Sequence, residues 1–303
     1  MDTFRLPKDG SIYADKIFSR CRDLISYQFW SGMPQHRLDS WIANFRTPEE
    51  RYFAARVLDA LIYRSDDQTL ALLRELISRA IPDYARIHGL SPKLQDMYPN
   101  LQDPSTDPGI RIVPVLPPGA PPTKSGVILA RYLKRALKIK ESWIIHPDAV
   151  PAAIGLGHTI IFIDDFLGTG DQFSRFLKDT KLTPYASSNC FIYGSLAAHE
   201  EGIGLLRREC PSTHVATVEK LDDSHALFHD SAGSFPDGVN SAECAEEFYY
   251  QLLDDRGFGI IGPNRRGVGH LEIVYAFEHS VPDNSLPILW WDYSSQWQHL
   301  FDR

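Results

Sequence analysis

Two adjacent carboxylates and a glycine turn are the part of this sequence best equipped for chemistry. Residues 159–163 are an almost purely apolar, β-branched run; Asp164 and Asp165 follow, then Phe166 and Leu167, then Gly168-Thr169-Gly170. So short an apolar run fits a central strand buried on both faces. Ligands of open α/β sheets lie beyond the carboxyl ends of the strands, so a strand ending in two acids delivers them to a ligand site. Phe173, Phe176 and Leu177 recur at helical spacing behind the turn. The turn thus offers backbone N–H groups and a helix N-terminus, both suited to phosphate. Acids for hydroxyls and amides for phosphate together fit a phosphorylated ribose. The bland alternative is an acid pair that ends a strand and opens a loop. The coincidence of strand, pair and Gly-x-Gly turn favours the ligand site.

The elements that must position these residues alternate along the chain. Strands are predicted at 110–116, 143–145, 159–163, 190–193, 215–218 and 271–277, with helices at 127–137 and 242–253 among them. Such alternation predicts an α/β, doubly wound, mostly parallel sheet. Pro114 places the first strand at an edge, because proline cannot donate to a central ladder. Residues 12–81 read as helical, with Ile17, Leu24 and Ile25, then Phe53, Val57 and Leu61, then Leu70, Leu73 and Ile77 at helical spacing. Thr47-Pro48-Glu49-Glu50 marks one helix start as a capping box, and Ser65-Asp66-Asp67-Gln68 marks the next. Residues 82–122 are dense in proline. The expected division is a helical module over 1–90 and an α/β domain over 91–303.

At 303 residues, with 43% hydrophobic and 23% charged residues, the composition is that of a globular protein with a sizeable core. No apolar run reaches membrane-spanning length, and the first ten residues lack an apolar signal core, so a cytoplasmic protein is expected. Cys21, Cys190, Cys210 and Cys244 are scattered without a C-x-x-C pair, which argues against a disulfide framework or a cysteine zinc site. The net charge of −8 opposes direct nucleic-acid binding; Lys134, Arg135, Lys138 and Lys140 read as one solvated helix face. His279 beside Glu278 suits acid–base work or a structural histidine, the second being the more common. Tyr27, Phe29, Trp30, Trp41 and Phe45 form either a core or an interface.

Residues 161–170 resemble the ribose-phosphate signature of type I phosphoribosyltransferases, in which apolar residues precede an acidic pair, two apolar residues and a small Thr/Gly turn. The resemblance implies that Asp164 and Asp165 hold the ribose 2′- and 3′-hydroxyls. Leu167, Gly168, Thr169, Gly170, Asp171 and Gln172 would wrap the 5′-phosphate. Phe166, Asp171 and Gln172 depart from the pattern, Asp171 by setting negative charge near a dianion. The family also needs a second loop for pyrophosphate, after an earlier strand and before a helix. Residues 117–126 occupy that place, where Lys124, Ser125 and Gly126 would supply a charge, a hydroxyl and open backbone amides. Mg²⁺ is implied as cofactor, held indirectly by Asp164 and Asp165 through the ligand, to neutralise the departing pyrophosphate.

Residues 146–157, where many relatives carry a mobile loop, hold no Lys or Arg. Arg265 and Arg266 are candidate cations in their stead. The tail Glu278-His279-Ser280-Val281-Pro282-Asp283-Asn284-Ser285-Leu286-Pro287-Ile288-Leu289-Trp290 extends the likeness over nearly the whole chain. It is similar to phosphoribosyltransferase-like proteins of bacterial conflict systems, including retron-linked effectors. That resemblance implies an antiviral or toxin-like effector that transfers or hydrolyses the ribosyl-phosphate group of phosphoribosyl pyrophosphate or a nucleotide. An operon partner protein or a reverse transcriptase–nucleic acid complex would be its partner. The alternative is a non-catalytic nucleotide sensor or partner-binding module that retains the pocket.

Overall fold

The computed structural model describes residues 3–119, 121, 124–260 and 262–302. Ala120, Pro122 and Thr123 of the expected pyrophosphate loop lie outside the described residues. Two compact units divide the chain: Met1–Asp67 with Asp222–Arg303, and Gln68–Leu221. This division differs from the expected cut near residue 90, because the tail returns to the first helices. The element β1 (Ile62–Arg64) pairs in parallel with a strand at Tyr275–Phe277, a partner that local periodicity cannot reveal.

The first unit contains α1 (Gly10–Ser26), α2 (Gln35–Ala43) and α3 (Pro48–Ala60). Thr47 caps α3 by accepting from Glu50 N at 3.2 Å, as its sequence predicts. The Glu50 carboxylate accepts from Arg46 N, one residue before the predicted partner. Trp30, Trp41 and Phe45 are buried here, whereas Tyr27 and Phe29 are exposed. Trp41 Nε1 donates to Ile288 O at 2.8 Å, tying α2 to the tail.

The second unit is built on four parallel strands in the order β2 (Ile110–Pro114), β3 (Thr159–Leu167), β4 (Cys190–His199) and β5 (Thr213–Leu221). The parallel α/β sheet predicted from the sequence is present. Its strands β3, β4 and β5 outrun the predicted segments. The predicted strand at 143–145 is reduced to one bridge, Ile112 to Ile144, on the side of β2 away from β3, with Ile145 N donating to Ile112 O at 2.9 Å. Pro114 turns its missing N–H to that same outer side, which is why an edge tolerates it.

Between α3 and β3 the chain also forms α4 (Asp66–Glu75), α5 (Ile81–Ile87), α6 (Met97–Gln102), α7 (Ser125–Arg135) and α8 (Val150–Ala153), and helices cover both faces of this sheet. On one face Ile160 and Phe162 of β3 and Phe191 and Tyr193 of β4 pack with Phe173, Phe176 and Leu177 of α9 (Asp171–Asp179) and with Ile203 and Leu206 of α10 (Glu200–Glu209). On the other, a Cβ placed on Gly194 would lie 3.3 Å from Ile81 and 3.7 Å from Ile161, so the helix Ile81–Ile87 sits there. The helix Ser125–Arg135 leads from β2 outward to the Ile144 bridge, whereas α9 leads from β3 inward to β4. Winding reverses between β2 and β3, and ligand sites of doubly wound sheets form at such a reversal.

Candidate functional site

The strand β3 does not stop at the acids. It continues to Leu167, so Asp164 and Asp165 are strand residues with Asp164 in register opposite Ser195. Both are buried, at 4% and 8% exposure. Asp164 Oδ2 accepts from the Tyr193 hydroxyl at 3.0 Å and Asp164 Oδ1 from Asp165 N at 3.1 Å. Asp165 Oδ1 accepts from Phe166 N at 2.9 Å and from the Ser125 hydroxyl at 3.1 Å. Burial, with the adjacent Asp165 charge, holds Asp164 well above the usual carboxylate range. Burial and the neighbouring Asp164 charge likewise push the Tyr193 phenol up, so it stays protonated and donates.

The turn after β3 is shaped by two close approaches. Gly170 has φ of 89°, a left-handed conformation that glycine adopts without penalty, and precedes α9 with no side chain capping the helix. A Cβ on Gly170 would lie 3.1 Å from Gly202 O, and one on Gly202 would overlap Gly168 O. The start of α10 thus presses directly on the turn. Thr169 Oγ1 donates to Asp171 Oδ2 at 2.9 Å, so the unexpected acid at Asp171 braces the turn and sits in the first turn of α9, where the helix dipole favours it. Gln172 is exposed. The uncapped start of α9 leaves backbone donors available to an anion.

The helix Ser125–Arg135 begins beside this strand, as the two-loop expectation requires. Lys124 is its exposed N-cap residue, and Gly126 is buried where a Cβ would lie 3.2 Å from Val115 O and 3.3 Å from Pro114. The Ser125 bond to Asp165 joins the two predicted loops, and both flank the winding reversal. In place of a featureless loop, residues 146–157 contain a 3₁₀ turn and the short helix Val150–Ala153.

Arg265 and Arg266 belong to the first compact unit, where Arg265 donates to Tyr250 O at 2.6 Å and to Asp254 at 2.7 Å, and Arg266 pairs with Glu246 at 3.1 Å and with Glu272. The tail motif is engaged in the same unit: Asn284 Nδ2 donates to Val268 O at 2.7 Å, Ser285 Oγ to Tyr275 O at 2.6 Å, and Glu278 accepts from Ser31 at 2.7 Å and from Asp66 N at 2.9 Å. Trp290 is buried there. Tyr193 escaped the sequence reading because a tyrosine within an apolar run reads as core; only its register two residues before Ser195 brings it to Asp164.

No helix among the described residues is long and apolar enough to cross a membrane. Among the described residues, no three His, Cys, Asp or Glu side chains cluster to hold a metal. A comparison with curated proteins gives no match. The family model described as PRTase-CE matches residues 38–303, a span that opens inside α2 and takes in most of both compact units. With a strand, acid pair and glycine turn set at the reversal of a parallel sheet, and with that match over most of its length, the chain belongs to the PRTase-CE family, which is phosphoribosyltransferase-like.

Proposed function

We propose that the α/β unit binds the ribosyl 5-phosphate group of phosphoribosyl pyrophosphate or a nucleotide and transfers it to an acceptor or to water. The Ser125–Asp165 hydrogen bond carries this reading, because it puts the end of the 117–126 loop within reach of the acids of β3. Asp164 and Asp165 form the hydroxyl-binding pair, the turn from Gly168 to Gln172 with the α9 N-terminus takes the 5-phosphate, and Lys124, Ser125 and Gly126 face the pyrophosphate. In the reaction the bond from the anomeric carbon to pyrophosphate, or to the base of a nucleotide, breaks, the electron pair leaves with that group, and the acceptor's nucleophilic atom or a water oxygen takes its place and gives up its proton to the solvent or the leaving group.

Mg²⁺ fits these residues as an ion carried with the ligand. Hard carboxylate oxygens are its preferred protein donors, and it is usually held by one or two of them plus substrate phosphates, which suits an acid pair. Bound that way, it would neutralise charge on the departing pyrophosphate. The likeness of the tail to conflict-system proteins supports an antiviral or toxin-like role, with an operon partner or a reverse transcriptase–nucleic acid complex as the associated macromolecule.

A second reading, a sensor that binds the nucleotide without turnover, is favoured by one observation. Residues 146–157 hold no Lys or Arg, and the arginines at 265 and 266 pair with carboxylates of their own unit. Calorimetric titration of phosphoribosyl pyrophosphate with Mg²⁺ tests the site. Saturable heat that disappears in the double variant Asp164→Asn, Asp165→Asn supports it, and absence of heat from the wild-type protein overturns it. Assay of pyrophosphate release then separates the two readings.

A further inference from the structure

We propose that the ribosyl site prefers a dinucleotide, whose 5′-phosphate is a diester with a single negative charge, and cleaves the bond to its base, with Asp171 as the residue that disfavours 5′-phosphomonoesters. The inference rests on the ribosyl site proposed above and names which of its ligand classes fits better.

The turn that would take the 5′-phosphate already holds an anion of its own. Asp171 is exposed in the first turn of α9, and its Oδ2 accepts from Thr169 Oγ1 at 2.9 Å. A helix start carries about half a positive charge, which the full charge of one carboxylate more than offsets. The Thr169 hydroxyl has one proton to donate, so a phosphate on the turn competes with Asp171 for it. A phosphate oxygen that took that proton would lie within about 6 Å of the carboxylate, because each hydrogen bond to Oγ1 spans about 3 Å or less. Arg175, the next cation of α9, stands four residues on, about 6 Å further from the helix start.

The backbone N–H groups that open α9 can seat a phosphate of either kind by hydrogen bonding. Charge separates the two kinds. A phosphomonoester carries about two negative charges at neutral pH, whereas a diester has lost one of its ionisable oxygens to the second ester bond. One further charge at about 6 Å from a carboxylate weakens binding by roughly threefold to fourfold in bulk water and by about a hundredfold at the effective dielectric of a protein surface.

The leaving-group side points the same way. Over residues 124–126 and 164–172 the side chains include three acids, Asp164, Asp165 and Asp171, and one cation, Lys124. Residues 146–157, between the edge bridge at Ile144 and β3, add no Lys or Arg. Departure of pyrophosphate asks for positive charge around it, but departure of a base does not. With a pyridinium base, the bond from the anomeric carbon to the ring nitrogen breaks, the electron pair returns to that nitrogen, and the base leaves uncharged. A water oxygen or the acceptor's nucleophilic atom bonds to the carbon and gives its proton to solvent.

Calorimetry at neutral pH with Mg²⁺ present compares NAD⁺ with nicotinamide mononucleotide, which share the base and its ribosyl group and differ in the second ester at the 5′-phosphate. The proteins are wild type, Asp171→Asn, which keeps an acceptor for Thr169 and loses the charge, and Asp179→Asn, which removes a charge from the far end of the same helix. Wild type is expected to bind NAD⁺ about tenfold more tightly than the mononucleotide, Asp171→Asn to narrow that preference about tenfold by tightening the mononucleotide more, and Asp179→Asn to leave it unchanged. A mononucleotide bound by wild type as tightly as NAD⁺, a preference that Asp171→Asn does not narrow, or one that Asp179→Asn narrows equally, overturns the proposal. Chromatography of NAD⁺ incubated with the protein is expected to show free nicotinamide, absent with the double variant Asp164→Asn, Asp165→Asn; an intact dinucleotide overturns the cleavage. Phosphoribosyl pyrophosphate that binds wild type and not the double variant, with no binding of NAD⁺, keeps the ribosyl reading and overturns this one, whereas no binding of any of the three overturns both.

Discussion

The Ser125 hydroxyl donates to Asp165 Oδ1 across 3.1 Å, joining the first residue of the helix after β2 to the strand β3. Hydrogen bonds to a charged group contribute about 1.5–3 kcal/mol, so Ser125→Ala is expected to destabilise the protein by roughly 1.5 kcal/mol in urea unfolding. A ribosyl ligand restores a hydroxyl to the vacated carboxylate. Addition of phosphoribosyl pyrophosphate with Mg²⁺ should therefore raise Tm more in the variant than in wild type; a smaller rise would show that the loss of Ser125 at the pyrophosphate outweighs the restored hydroxyl.

The raised Asp164 carboxyl sets a slope of stability against pH. Its folded-state value lies above the unfolded one, near 3.9. Between the two, the unfolded chain binds fewer protons than the folded protein, so stability falls as pH rises through that window. Asp164→Asn removes the slope. The variant is expected to be more stable than wild type at about pH 8, with the difference closing at about pH 4; denaturant titrations at both pH values check this. An Asp164→Asn protein that is less stable at the higher pH would show that the ionised acid is well solvated or paired.

Gly202 is the place where α10 meets the turn after β3. A methyl there would overlap Gly168 O and lie 2.9 Å from Leu167 Cγ, and the carbonyl is backbone that cannot rotate away. Overpacking of this kind costs about 1–3 kcal/mol, and Gly202→Ala is expected near the upper end. Because the displaced atoms are those proposed to hold the 5-phosphate, ligand affinity should fall in the fraction that remains folded. The neighbouring change Gly204→Ala has only Arg208 Nη1 within reach, at 3.5 Å, and should lack both effects.

Arg256 anchors the first unit. It is buried, donates to Asn44 O at 3.2 Å and pairs with Glu50 at 2.7 Å. Removal of one partner leaves the other charge buried and uncompensated, so Arg256→Ala is expected to cost about 3–5 kcal/mol. Chemical unfolding followed by tryptophan fluorescence reports it through Trp41 and Trp297, both in that core. A loss under about 1 kcal/mol would mean that water reaches Glu50 and restores its solvation.

The central strand and its acids are legible because β-branched apolar residues give way abruptly to Asp164 and Asp165, and a glycine turn follows. The extension of β3 to Leu167 is not, since a pair of acids reads as an end. The strand β4 continues through Gly194, Ser195, Ala197 and Ala198, residues with weak strand preference that are accepted because they pair with neighbours on both sides. Conversely, the predicted strand at 271–277 shortens to Tyr275–Phe277, with Glu272 at φ of 54° just before it. The commitments of Arg265 and Arg266 were equally hidden: their acidic partners Asp254, Glu246 and Glu272 are ordinary surface residues to any local reading.

The first unit is assembled from two separated segments, Met1–Asp67 and Asp222–Arg303, and this governs the order in which the protein can be born. On a ribosome making about 5–20 residues per second, the α/β unit emerges whole while Ile62–Arg64 still lacks its partner strand. Roughly ten to forty seconds separate the two strands at that pace. During this interval the helices that open the chain have no Trp290, Trp297 or Leu300 to close over them. The segment that carries the acids is thus free to assemble first, and a nascent chain carries a finished sheet while its opening helices still wait for their own tail.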